Sequence, residues 1–148
     1  MSDKDSSTNT ANNARIMLVD DESDINAALS VVLKRAGYDV DTFDNPLIAL
    51  EKLKPGFYDL IILDVKMPQM DGFELYREIK KVDKKAKICF LTASELYYEN
   101  IRKEKFTPLD KELFIIKPIS NAELLKKIEF ILKVTDNDPT GKEKYEPL

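Results

Sequence analysis

The sequence contains no histidine and a single cysteine in 148 residues. Without histidine the chain cannot build a Ser–His–Asp or Cys–His nucleophile, a histidine-ligated metal site or a phosphohistidine of its own. The lone thiol, Cys89, cannot close an internal disulfide, which fits a reducing compartment, and its place between Ile88 and Phe90 suits an inert core position. No apolar run approaches the ~20 residues of a membrane span, and the opening residues MSDKDSSTNTANNA hold no apolar signal core. Nor is there a basic excess: 23 Lys and Arg face 27 Asp and Glu, a net charge of −4, so no whole-chain field attracts nucleic acid. What remains, at 43% apolar and 34% charged, is enough for one buried core in a soluble, cytoplasmic domain. Its chemistry must come from carboxylates, Lys, Thr, Ser, Tyr or a hard metal.

Residues 1–14 and 136–148 are too polar to support packing and are expected to be disordered tails around a folded body of residues 15–135. Within the body, four short continuous apolar runs read as strands buried on both faces: Ile16–Val19, Leu60–Leu63, Ile88–Leu91 and Leu113–Ile116. Tyr38 to Phe43 alternates instead, as a half-exposed edge strand does. The intervening segments read as helices. Ile25, Ala28, Leu29, Val32, Leu33 and Ala36 form one apolar stripe, stopped by Gly37. Asn45-Pro46 opens a second helix, with Leu50 and Leu53 inward. Leu75, Ile79 and Val82 line a third, and Ser120 with Glu123 forms a capping box before Leu124, Leu125, Ile128, Ile131 and Leu132. The stretch Glu95 to Lys105 gives only a ragged stripe.

Alternating strands and helices imply an α/β fold: a doubly wound, five-stranded parallel sheet with helices on both faces. If the alternating strand is an edge, the order 2-1-3-4-5 follows, with the switch point between strands one and three. Sites in such sheets collect at the carboxyl ends of the strands. There stand Asp20, Asp21 and Glu22 after the first strand, Asp64 at the third, Thr92 at the fourth and Lys117-Pro118 at the fifth. Asp20, Asp21 and Asp64 then share one crevice, where their mutual repulsion calls for a cation with oxygen ligands, and Mg²⁺ suits a few carboxylates. With Lys117 and a hydroxyl, the set forms a phosphoryl-binding site. Simpler roles also fit: Asp21 or Ser23 suits the cap of the first helix, and Thr92 with Glu95 makes a capping box.

These residues resemble the receiver domain of two-component response regulators. Asp20-Asp21, the run Asp64-Val65-Lys66-Met67-Pro68-Gln69-Met70-Asp71-Gly72, Leu91-Thr92-Ala93 and Lys117-Pro118 carry the likeness, which covers about residues 14–135. The resemblance implies a flavodoxin-like, chemotaxis-regulator-like fold and assigns roles. Asp64 would accept a phosphoryl group. Asp20, Asp21, Asp64 and the backbone carbonyl of Lys66 would hold Mg²⁺, with Asp20 acting directly or through water. Thr92, the backbone N–H of Ala93 and Lys117 would meet the phosphoryl oxygens, the last through a cis Lys117-Pro118 bond. Phe114 would be the switch aromatic. Lys66 and Ser94 would tune phosphate lifetime. The donor would be a sensor histidine kinase or a histidine phosphotransfer protein.

The segment between Thr92 and Lys117 departs from the family pattern, with Tyr97-Tyr98, a basic cluster and Pro108 where a well-marked fourth helix is usual. It belongs to the face of the family's fourth helix, fifth strand and fifth helix, through which a downstream protein partner would be engaged. The 13 residues after Thr135 leave no room for a DNA-binding domain, so the expectation is a stand-alone phosphorelay switch, without direct DNA or membrane binding and not an enzyme beyond its own phosphorylation and dephosphorylation. Two other readings fit parts of the same sequence. A haloacid-dehalogenase-type phosphatase would need an Asp-x-Asp pair, which the adjacent Asp20-Asp21 does not supply. A phosphorylation-independent interaction module would not need the full set of acceptor, acidic pair, Thr and Lys.

Overall fold

Short apolar segments separated by amphipathic ones leave the chain few ways to bury its surface, and it adopts the layered one. The computed structural model describes residues 13–93 and 114–137. In chain order these form β1 (Arg15–Val19), α1 (Ser23–Arg35), β2 (Asp39–Phe43), α2 (Pro46–Lys52), β3 (Leu60–Asp64), α3 (Gly72–Val82), β4 (Ile88–Thr92), β5 (Phe114–Ile116) and α4 (Asn121–Asn137). The strands make one parallel sheet in the order β2-β1-β3-β4-β5. The expected edge strand is indeed at the edge: β2 has no buried residue, whereas Ile16–Val19, Leu60–Leu63 and all of β4 are buried.

Side chains alternate along each strand, so the sheet divides the core in two. Met17, Val19, Ile61, Leu63, Ile88, Phe90 and Phe114 face α2 and α3, meeting Ala49, Leu53, Phe73, Leu75 and Ile79. Ile16, Leu18, Leu60, Ile62, Cys89, Leu91 and Ile115 face α1 and α4, meeting Leu33, Leu124, Ile128 and Ile131. Doubly wound packing follows from this alternation alone.

Local signals set the helix ends. Asn45 caps α2, its Oδ1 accepting from the amides of Leu47 at 2.8 Å and Ile48 at 3.3 Å, with Pro46 at the first helical position. Gly37 takes φ 102° just after α1, a conformation that costs other residues a steric penalty. The hydroxyl of Ser120 accepts from the Glu123 amide at 3.1 Å, as expected. A capping box unnoticed in the sequence opens α3: Asp71 accepts from the Glu74 amide at 2.8 Å and Glu74 from the Asp71 amide at 3.0 Å.

Two helix faces differ from expectation. Val82 is 47% exposed, because α3 ends there and its last turn passes beyond the apolar surface that buries Leu75 and Ile79. Ala28 is exposed too: the face of α1 turned to the sheet is centred on Leu29 and Leu33, and a polar residue, Asn26, takes the buried place beside them. Tyr38 is buried just ahead of β2. Helix α4 continues through Asn137, two residues into the segment expected to be a tail. Ser94, the Thr92–Glu95 capping box, the 95–112 stretch, Leu113 and nearly all of both tails lie outside the described residues. Among the described residues no helix is long and apolar enough to cross a membrane.

Candidate functional site

Parallel register brings the strand ends level. Val19 pairs with both Phe43 and Leu63, and Asp64 pairs with Leu91, so the residue after β1 and the last residue of β3 become neighbours. Asp20, Asp21 and Asp64 each present a carboxylate oxygen within 4.8 Å of the others. Thr92 ends β4 opposite Ile116, and its carbonyl accepts from the Lys117 amide at 2.8 Å, which fixes where Lys117 leaves the sheet. The Lys117 side chain returns over the crevice, with Nζ 3.7 Å from Asp20 Oδ2. The Lys117-Pro118 peptide bond is cis, as the resemblance implied. Four of the residues singled out from the sequence thus meet in one place, and Thr92 adjoins Lys117 through the backbone.

The capping alternative for Asp21 and Ser23 is not what forms. Glu22 occupies the cap of α1 without a side-chain cap bond, and the Glu22 amide donates instead to Asp20 Oδ1 at 2.9 Å. Asp21, half-buried, is left to the crevice.

Electrostatics mark Asp64. Burial pushes its carboxyl up to about 7, Asp20 and Asp21 add repulsion, and Lys117 and the Val65 amide only partly offset them. Asp20 is raised as well, chiefly by burial, against the Glu22 amide and Lys117. Like charges brought together in a partly dry crevice leave a deficit of positive charge. Three oxygen donors at this separation and of this hardness fit a small divalent cation with retained waters.

The β3–α3 turn is built around a close approach. The Gly72 amide donates to the Val65 carbonyl at 2.8 Å, and a Cβ on Gly72 would run into the Asp64 carbonyl oxygen and lie 3.0 Å from Val65 Cα. Gln69 takes a left-handed φ of 73° in the same turn. Val65 and Met67 are buried under it, while Lys66 points outward and is exposed. Ala93 is exposed just past Thr92, which is 2% exposed. Phe114 lies inside the protein, 3% exposed, stacked on Phe90 and near Phe73. One contributor was missed in the sequence: Asn26 donates from Nδ2 to the carbonyls of Asp20 at 2.9 Å and Phe43 at 3.0 Å. The signal was a polar residue three and seven positions before Leu29 and Leu33, on a face otherwise apolar.

Comparison with known proteins identifies the family. The sequence family described as the response regulator receiver domain matches residues 16–129. The receiver protein CpdR of Brucella abortus is 35% identical over 118 residues, covering 80% of this chain and 96% of that protein. The CpxR homologue of Haemophilus influenzae, a transcriptional regulatory protein, is 36% identical over 81% of this chain and 51% of its own length. The chain spans about half the length of several such transcriptional regulators. Among solved structures, TrrA of Thermotoga maritima in complex with Mg²⁺-BeF aligns with a TM-score of 0.66 at 36% identity, covering 80% of this chain and 98% of that one. The non-phosphorylated HemR receiver domain of Leptospira biflexa aligns at 0.69 with 30% identity, covering 82% and 95%. The chain belongs to the response regulator receiver domains of two-component signalling.

Proposed function

We propose that Asp64 is the phospho-acceptor of a stand-alone, cytoplasmic response regulator, charged from a phosphohistidine on a sensor kinase or a histidine phosphotransfer protein. The observation that carries this is the convergence of Asp20, Asp21 and Asp64 within 4.8 Å, with Lys117 Nζ 3.7 Å from Asp20. The 148 residues contain no histidine, so the donor phosphohistidine lies outside them. The length of the Brucella receiver protein, 96% of which is matched, is in keeping with regulators that act without an attached output domain.

In this reading Asp20, Asp21, Asp64 and the Lys66 carbonyl would hold Mg²⁺. When bound, the cation offsets charge on the acceptor and on the incoming phosphoryl oxygens. An Asp64 oxygen attacks phosphorus in line. A P–O bond forms while the P–N bond to the donor imidazole breaks, its electron pair leaving on nitrogen. Lys117 moves its ammonium from Asp20 toward the phosphoryl group, and the Thr92 hydroxyl and Ala93 N–H donate to the other oxygens. A carboxylate is a weak nucleophile toward a dianion, so alignment and charge neutralisation supply most of the acceleration. The protein is a signalling switch, not an enzyme acting on other substrates.

The added charge of about −1.5 to −2 biases Thr92 and, on the next strand, Phe114. This alters the face of β5 and the helix that follows it, through which a downstream protein is bound. Lys66, exposed two residues after Asp64, and Ser94 tune how long the phosphate lasts. The unit that folds around the site is the body of residues 15–135 read from the sequence, extended by α4 to Asn137.

The test is incubation of the full chain with Mg²⁺ and phosphoramidate, read by intact mass. A gain of about 80 Da, one phosphoryl group, that disappears in Asp64→Asn is the expected result. Turnover of a phosphate ester that persists in Asp64→Asn and stops in Asp20→Asn would replace this reading with a phosphatase. No adduct at all would favour a phosphorylation-independent module. For Lys66, the acyl-phosphate half-life of Lys66→Asn should differ from that of the parent, and equal half-lives would remove the tuning role.

A further inference from the structure

Asn26 is 5% exposed in the first turns of α1, and its amide is spent in an unusual way. Nδ2 donates to two backbone carbonyls at once, those of Asp20 at 2.9 Å and Phe43 at 3.0 Å, while Oδ1 is buried and has no partner among the described residues. Turning the amide over does not help, because Oδ1 would then face two carbonyl oxygens. A buried acceptor left unsatisfied costs about 1–3 kcal/mol. Leucine has nearly the same shape and would pack beside Leu29 and Leu33 without that cost. The amide is thus kept for its two donor bonds in spite of the orphaned Oδ1, and such an orphaned group calls for a specific explanation.

The two carbonyls supply it. Asp20 and Phe43 are the residues where β1 and the edge strand β2 run out, and the Asp20 amide also donates to the Phe43 carbonyl at 3.1 Å. Asn26 thus joins α1 to both strand ends and fixes the Asp20 peptide on its carbonyl side, while the Phe43 carbonyl fixes it on its amide side. The peptide so held carries the carboxylate that takes the Glu22 amide at 2.9 Å and faces Lys117 at 3.7 Å. We propose that Asn26 is a positioning residue for the acidic site: its bridge between the Asp20 and Phe43 carbonyls sets the direction from which Asp20 reaches the cation. This rests on the proposed role of Asp20 in holding Mg²⁺. Asn26 touches neither cation nor phosphoryl group; it acts through Asp20.

The experiment is a double-mutant cycle on the full chain, with Asn26→Leu, Asp20→Asn and the combination compared with the parent. Mg²⁺ dissociation constant and thermal midpoint are measured for each, together with amide hydrogen exchange of Asp20 without metal. Partners that orient a metal ligand typically change affinity by about 10-fold or more. Asn26→Leu is expected to weaken Mg²⁺ binding by about that factor, beyond any change in thermal midpoint from the two lost hydrogen bonds. Exchange at the Asp20 amide should quicken while that at Leu18 does not. In the Asp20→Asn background, Asn26→Leu should have little further effect, since residues acting through one group are not additive.

If Asp20→Asn binds Mg²⁺ as the parent does, the reading of the acidic site fails and this inference falls with it. If Asp20→Asn weakens binding but Asn26→Leu does not, or the two losses add in full, only the inference falls. A drop in thermal midpoint with unchanged Mg²⁺ affinity would make Asn26 merely structural. Should Asn26→Leu not fold, Asn26→Ser removes the same bridge with a small polar side chain, and the same outcomes decide.

Discussion

Gly72, the first residue of α3, sits so close to Asp64 that a single added carbon would collide with the Asp64 carbonyl oxygen. The helix that follows β3 is thereby packed directly against the backbone of Asp64, and the Gly72–Val65 hydrogen bond at 2.8 Å holds it there. Elsewhere in a helix, alanine in place of glycine stabilises. Here the obstruction is backbone and cannot swing aside. Gly72→Ala should cost about 1–3 kcal/mol, as overpacking does, seen as a lower denaturant midpoint. If Asp64 is the acceptor as proposed, it should also slow phosphoryl transfer, because the carbonyl that must move belongs to Asp64. A variant as stable as the parent would show that the turn yields freely.

Asp64 makes the metal-free protein pH-sensitive. Its carboxyl is raised from 3.8 to about 7, chiefly by burial and then by Asp20. Between those values the folded state binds more protons than the unfolded one, so stability falls as pH rises through this window and the penalty is complete above about 7. The full shift corresponds to at most about 4 kcal/mol, and the partial solvation of Asp64 reduces the expected effect to about 1–2 kcal/mol. Asp64→Asn should therefore melt about 3–8 °C higher than the parent at pH 8. The gap should close near pH 4 and shrink when Mg²⁺ is added to the parent. An equal gap at both pH values would mean that the carboxyl is not strained.

Cys89 offers a clean probe of the central sheet. It is fully buried in β4 among Ile62, Leu91 and Ile115, and burial pushes its thiol up to about 12. It is the sole cysteine, so thiol labelling of the native chain should be negligible at pH 8 and stoichiometric in denaturant. Rapid native labelling would show that β4 opens locally. The labelling rate at intermediate denaturant should follow global unfolding, as expected for a central strand.

Much of the fold could be read from the sequence because strands buried on both faces leave continuous apolar runs, and Ile16–Val19, Leu60–Leu63 and Ile88–Leu91 do so. Asp20, Asp21, Asp64 and Lys117 were legible for a related reason: a charge at the end of such a run has few structural uses. Helix faces were less so. Ala28 and Val82 fit the 3.6-residue period but point away from the core, since period alone does not fix how a helix is rolled or where it overhangs the sheet. Asn26 escaped notice because its partners are backbone carbonyls, which every residue has. The Gly72 contact could not be foreseen either, for it depends on the angle at which α3 leaves the turn.

Phe114 allows the packing on one side of the sheet to be tested directly. Its ring stacks on Phe90 with centroids 5.0 Å apart and planes inclined by 25°, and Phe73 closes the group at 4.8 Å from Phe90. A switch aromatic held outside in the resting state would lose little on truncation. With Phe114 only 3% exposed, Phe114→Ala should instead cost about 3–4 kcal/mol, the range for a large ring removed from a core. Phe130, 49% exposed on α4, is the matched control, and Phe130→Ala should stay within about 0.5 kcal/mol of the parent. Denaturant unfolding of the two variants in the metal-free, unphosphorylated state separates the cases. Equal, small losses would place the Phe114 ring at the surface in the metal-free protein.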